Sequence, residues 1–154
     1  MAAYFFDSSA IVKRYVNETG TQWVTDTLEP MAGNEIYAAR ISGAEVVSAI
    51  ARRARGGSLT AIQAADAINQ FRNEFGSICQ IIEITVQVVS LAMELAETHA
   101  LRGYDSVQLA AAMEINSVRV ASGESALTIA SSDHELNAAA IGQGLAIEDP
   151  NAYP

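Results

Sequence analysis

Four acidic residues stand where a chain could turn charge into chemistry: Asp7, Glu45, Asp105 and Asp133. Asp7 follows an apolar run directly, Glu45 and Asp105 open segments of helical period, and Asp133 comes shortly after a second apolar run. Taken singly, each is a good helix-start residue. Asp is a favoured N-cap, and Ser42-x-x-Glu45 and Asp105-x-x-Gln108 both have capping-box spacing. Taken together they mean more, provided the apolar runs pair as parallel strands. Strand carboxyl ends and the following helix amino ends then share one edge, where ligand crevices form in α/β folds. Converging carboxylates repel unless a cation joins them. Hard oxygen donors without Cys or His select Mg²⁺ or Mn²⁺, which activate water and steady phosphodiester oxygens.

Competing chemistries are absent from the sequence. It contains no Gly-x4-Gly-Lys phosphate loop, no Gly-x-Gly-x-x-Gly turn after a strand and no Gly-x-Ser-x-Gly elbow. Cys79 is the only cysteine and His99 and His134 the only histidines, too few soft ligands for a zinc finger. His134 has no His four residues on, so a helix-borne zinc-protease site is missing, and an exposed helix position is expected for it.

The elements that must position the acids follow from periodicity. Ala3–Phe6, Glu35–Ala38, Gln80–Ile84, Leu127–Ala130 and Leu145–Ile147 read as strands, several continuously apolar as in sheets buried on both faces. Helices are expected over Ser9–Tyr15, Thr19–Leu28, Gly43–Arg55, Leu59–Phe75, Val86–His99, Ser106–Ile115 and His134–Gly142. Strands alternating with helices predict an α/β fold with a central parallel sheet of about five strands. Gly56-Gly57 and Ser58 separate the third and fourth helices into a hairpin, a candidate partner surface. Its apolar stripe, including Leu59, Ile62, Ile68 and Phe71, is expected to pack on the sheet or on a sister subunit. The polar stretch Asn116–Ala126 is read as a loop.

With 154 residues, half of them hydrophobic, residues 1–154 are expected to form one domain. A chain of this size buries roughly two-thirds of its extended surface, enough for a core without disulfides. A single cysteine suits a reducing cytoplasm. The apolar start lacks a basic flank and no long apolar span occurs, so neither export nor membrane insertion is expected. Nine Lys and Arg against eighteen Asp and Glu leave a net charge of −9, which opposes broad capture of polyanions. Six of those cations, Lys13, Arg14, Arg40, Arg52, Arg53 and Arg55, nevertheless lie in the first 55 residues and leave room for a local basic face.

The stretch Phe6-Asp7-Ser8-Ser9-Ala10-Ile11-Val12-Lys13-Arg14-Tyr15 resembles the opening of the PIN-domain ribonucleases, especially the VapC toxins of bacterial toxin–antitoxin pairs. Ile41-Ser42-Gly43-Ala44-Glu45-Val46-Val47-Ser48-Ala49 is similar to that family's second acidic motif, and Leu101 to Ala112, with Tyr104-Asp105-Ser106 inside it, to its third. Ser131-Ser132-Asp133-His134-Glu135-Leu136 resembles the fourth. The resemblance implies a three-layer α/β/α PIN-like fold, a Mg²⁺- or Mn²⁺-dependent endoribonuclease, a homodimer and a cognate antitoxin that silences the toxin. It carries Asp7, Glu45, Asp105 and Asp133 onto the family's acidic positions, with Ser9 and Ser131 in support. Those acids would hold one or two divalent ions while RNA is hydrolysed. Lys13, Arg14 and Arg40, near strand ends in sequence, are the expected contacts to flanking RNA phosphates. Two other readings share the features: another metal-dependent phosphodiesterase, such as a phosphatase or DNA nuclease, and a catalytically idle PIN-like module that binds a protein. All four acids being present argues against the second.

Overall fold

A computed structural model describes residues 2–154. Five strands, β1 (Ala3–Phe6), β2 (Glu35–Ala39), β3 (Gln80–Ile82), β4 (Thr128–Ala130) and β5 (Ala146–Glu148), form one sheet in the order β3-β2-β1-β4-β5. Every pairing is parallel. The helices are α1 (Ser8–Tyr15), α2 (Thr21–Leu28), α3 (Ser42–Arg55), α4 (Ala61–Ile78), α5 (Val86–His99), α6 (Gly103–Ala121) and α7 (His134–Gly142).

Side-chain alternation along the strands builds two cores, one on each face of the sheet. Phe5, Tyr37, Ala39 and Ile129 face α5, α6 and α7, where Val88, Leu95, Leu109 and Leu136 meet them. Phe6, Ile36, Ala38 and Ala130 face α1 to α4, meeting Ile11, Val24, Ile50 and Phe71. This is the expected three-layer α/β/α arrangement. Burial of both faces explains why β1 reads as an unbroken apolar run rather than an alternating one.

Strands β1, β2 and β3 succeed one another to one side of β1, and β4 and β5 lie on the other. The direction of winding therefore reverses between β1 and β4, and the crevice at their carboxyl ends is the ligand-binding position of open α/β sheets. Asp7 and Ser131, one residue beyond β1 and β4, open onto it.

One element departs from expectation. The stretch Asn116–Ala126 is not a loop throughout, because α6 continues to Ala121 before Gly123 turns at φ 78°. Arg119 explains the extension: its side chain is buried and paired with Glu35 and Glu124, and it also donates to Tyr37 Oη. A polar surface stretch is thus held helical by one internal ion pair network that local composition does not reveal. Elsewhere, Gly20 has φ 89°, and a Cβ there would lie 2.4 Å from the Pro150 carbonyl oxygen. That close approach seats the C-terminal turn against the start of α2.

A candidate active site at the carboxyl edge of the sheet

The site is built outward from Asp7, which is 3% exposed. Its Oδ1 caps α1 by accepting the Ala10 amide at 3.1 Å and also accepts the Ser9 hydroxyl at 2.7 Å. Its Oδ2 accepts the Ser131 hydroxyl at 3.0 Å. Ser131 Oγ in turn accepts the Asp133 amide at 3.1 Å, and Ser9 Oγ accepts the Ser132 amide at 2.9 Å. Two serines thereby stitch the end of β1 to the end of β4. Asn137 closes the far side by donating to the Ser131 carbonyl.

Asp133 caps α7, accepting the Leu136 amide at 2.9 Å, as its sequence position suggested. The two capping boxes expected further along are not formed. Helix α6 starts at Gly103, so Asp105 lies inside the first turn, with Arg102 as N-cap and no side-chain cap. Gln108 reaches instead across to α3, donating at 2.6 Å to Glu45 Oε1 and at 2.8 Å to Ser42 Oγ. Ser42 is consumed by that contact and caps nothing, and the residue before it, Ile41, is the N-cap. Asp105 Oδ2 is buried with no hydrogen-bond partner, and Arg102 Nε approaches it only to an ion-pair distance of 3.4 Å.

The carboxylates feel one another. Burial pushes the Asp7 carboxyl up to about 7, against the downward pull of Ser9, the Ala10 amide and Ser131, and Glu45 adds repulsion. Burial likewise raises Glu45, opposed by its hydrogen bond from Gln108 and assisted by Asp105. Asp105 is raised by burial first and by Asp133 next, with Arg102 opposing. Asp7, Glu45, Asp105 and Asp133 thus form a chain of electrostatic neighbours contributed by four separate sequence segments. Raised carboxyls set near one another mark a candidate functional site, in which Asp7 also serves as a helix cap.

Their chemistry suits a hard divalent ion: all donors are oxygens, they repel each other, and one buried carboxylate oxygen lacks a partner. As the side chains stand, no group of three or more His, Cys, Asp or Glu among the described residues is arranged to hold a metal ion. Gln108 engages Glu45, and Arg102 lies near both Asp105 and Asp133.

A groove of about 850 Å³ leads away from the acids, lined by Ser9, Glu45, Arg52, Arg53, Tyr104 and Ser132 among others. Of the cations expected to contact phosphates, Lys13 lines this groove but is 5% exposed, its Nζ donating to the Thr19 carbonyl, Asn151 Oδ1 and Glu18 Oε1. Arg14 is bound to Glu74 and Glu29. Both are engaged in holding α1 to its neighbours. Arg40 is exposed but paired with Glu83. Besides Lys13, the groove is lined by Arg52 and Arg53, one turn beyond Ser48 on α3. Arg53 pairs with Glu18, whereas Arg52 is exposed and makes no ion pair among the described residues. Tyr104, 61% exposed beside Asp105, is the aromatic at its rim. Gln108 is the clearest residue missed as a site component; its signal was a lone amide inside the apolar run Val107 to Ala112.

Comparison with known proteins agrees with this architecture. The family model for the PIN domain matches residues 4–140. A Mycobacterium tuberculosis protein named Ribonuclease VapC45 is 31% identical over 154 residues, all of both chains. Among solved structures, FitAcB from Neisseria gonorrhoeae superposes with a TM-score of 0.66 at 17% identity, covering 96% of this chain and 97% of that one. VapBC-5 from Mycobacterium tuberculosis, a member of the VapBC family of toxin–antitoxin systems, gives 0.54 at 15% identity, covering 97% and 98%. A family match across both sheet halves and a full-length relative place the chain in the PIN-domain family, in its VapC branch.

Proposed function

We propose that this chain is a divalent-metal-dependent endoribonuclease, the toxin of a toxin–antitoxin pair. The observation that carries the reading is the convergence of Asp7, Glu45, Asp105 and Asp133 at the crevice between β1 and β4, with Asp105 Oδ2 buried and unpartnered. The ribonuclease name of the full-length relative supports the choice of RNA, and the toxin–antitoxin description of a structural neighbour supports the partner.

The four acids would hold Mg²⁺ or Mn²⁺, directly or through water. When bound, such an ion supplies an activated water and neutralises charge on the phosphodiester oxygens. The chain's own residues do the rest. Ser9 and Ser131 fix the rotamer of Asp7 by one hydrogen bond to each oxygen, and Gln108 fixes Glu45. The groove then orients the strand: Arg52 and Arg53 meet flanking phosphates, and the exposed Tyr104 ring offers a face on which a base can stack. A chain at −9 needs such local cations, because its mean field repels RNA. The same acidity favours an antitoxin whose Arg or Lys enters the crevice and whose apolar helix lies on the α3–α4 hairpin, where Ile62 is 75% exposed.

The test is incubation of the purified chain with total cellular RNA and with single-stranded DNA, in Mg²⁺ or Mn²⁺ and in excess chelator. Metal-dependent cleavage of RNA is expected, lost in the chelator and in Asp105→Asn. Undiminished cleavage in chelator would overturn the metal reading, and cleavage of DNA alone would favour the other-nuclease reading. Co-expression with the neighbouring gene product tests the partner, which should bind and inhibit.

A further inference from the structure

Arg102 holds an unusual position. As N-cap of α6 it sits at that helix's amino end, and its guanidinium spans to Asp133, the N-cap of α7. A cation is disfavoured at helix amino termini, where the macrodipole is positive. Only the carboxylates explain its placement: Nε lies 3.4 Å from Asp105 Oδ2 and Nη2 lies 3.5 Å from Asp133 Oδ2. These distances exceed the ~2.7–2.9 Å of strong charge-assisted bonds. The side chain is 76% exposed, whereas Asp105 and Asp133 are 15% and 21% exposed. Its nearest approach is thus to the otherwise unpartnered oxygen at the centre of the acidic site.

We infer that Arg102 is a resident counter-cation, a positioning residue that neutralises Asp105 and Asp133 while the site lacks its metal and that a divalent ion must displace to load. This rests on the metal-site reading above. Three features make the displacement easy. The contacts are long, the head already stands in solvent, and a doubly charged ion outbids a singly charged one for the same two carboxylates. A fixed structural bridge would have the opposite features, with short contacts and a buried head, as Arg119 has beside Glu35 and Glu124. The consequence is a metal affinity lower than the four acids alone would set, so that Arg102 decides the concentration at which the site fills.

The experiment is calorimetric titration of Mn²⁺ into the full-length, RNA-free protein at fixed ionic strength, for wild type, Arg102→Gln, Arg102→Lys and Asp105→Asn. Removing a competing charge near two carboxylates should tighten Mn²⁺ binding in Arg102→Gln on the order of five- to tenfold. Arg102→Lys, which keeps the charge but not the two-pronged reach, should fall between. The Mn²⁺ concentration giving half-maximal cleavage should move down in step. A merely structural arginine would change the melting temperature without tightening the metal. Unchanged or weaker Mn²⁺ binding in Arg102→Gln, with binding lost in Asp105→Asn, would overturn the role of Arg102 and leave the metal site standing. Full Mn²⁺ binding in Asp105→Asn would overturn both.

Discussion

The Ser131 hydroxyl donates a 3.0 Å hydrogen bond to Oδ2 of Asp7 while accepting the backbone amide of Asp133 at 3.1 Å. One small side chain thus couples the first of the four candidate acids to the last, across the two strands between which the winding of the sheet reverses. The pairing is buried.

Ser131→Ala should therefore do two things at once. It leaves Asp7 Oδ2 without its donor, a loss of about 1–3 kcal/mol for a buried polar group, read as a lower melting temperature. It should also reduce cleavage, because Asp7 is no longer oriented. Ser131→Thr keeps the hydroxyl and should restore most of both. Full activity in the alanine variant would show that Asp7 needs no such support.

Asp105→Asn separates site from scaffold. Asp105 caps nothing and its Oδ2 is unpartnered, so the amide should cost no stability in metal-free buffer and should relieve repulsion from Asp133. Cleavage should fall by about a hundredfold or more, the scale on which a lost electrostatic contact at a reacting centre registers. Millimolar Mg²⁺ or Mn²⁺ should raise the melting temperature of wild type and not of this variant. A large drop in melting temperature with cleavage retained would mark Asp105 as structural.

Asp7 gives the pH dependence its sign. Its carboxyl is raised from 3.8 to about 7 in the folded protein, so between those values the folded state keeps a proton that the unfolded state has released. Stability of the metal-free protein should therefore fall as pH rises from about 4 to about 7, by a few kcal/mol at most. Metal binding and cleavage should rise over the upper part of that window as the carboxylate forms. Thermal melts in chelator across this range check the first trend, and Asp7→Asn should flatten it. A wild-type melting temperature that climbs steadily through the window would contradict the raised Asp7.

Arg52→Gln and Arg53→Gln test the path of the strand. Each should raise KM for RNA with little effect on kcat at saturating substrate. Each lost phosphate contact should lower the slope of log affinity against log salt by about 0.7 for a single strand. Arg14→Gln should instead lower stability, through Glu74 and Glu29, and leave the salt slope unchanged. Equal salt slopes in wild type and Arg52→Gln would remove Arg52 from the RNA path.

The parallel sheet, and the places of the four acids along it, were legible in the sequence because both depend on local pattern, whereas the three-layer order came from the resemblance to the PIN-domain ribonucleases. Continuously apolar runs such as Ala3–Phe6 suit a sheet covered on both faces, and acids placed just after strands of a parallel sheet emerge at one edge of it. The capping roles of Asp7 and Asp133 were legible for the same reason, since a cap is a contact within three residues.

What only the tertiary structure decided were the contacts between segments far apart in the chain. Local spacing paired Gln108 with Asp105, but its amide goes to Glu45 and Ser42, more than sixty residues away. Nearness to a strand end said nothing of the partners that Lys13 and Arg14 engage, Asn151 and Glu74 among them, which other elements bring. Arg119 turned an expected loop into helix through Glu35, at the start of β2 on the face that α6 covers. A long side chain reaches several ångströms in a direction set by its helix face, so its partner is fixed by packing and not by sequence distance. The strand and helix pattern could name the acids and the edge where they meet, but which cation stands among them, Arg102, emerged only once α6 and α7 were side by side.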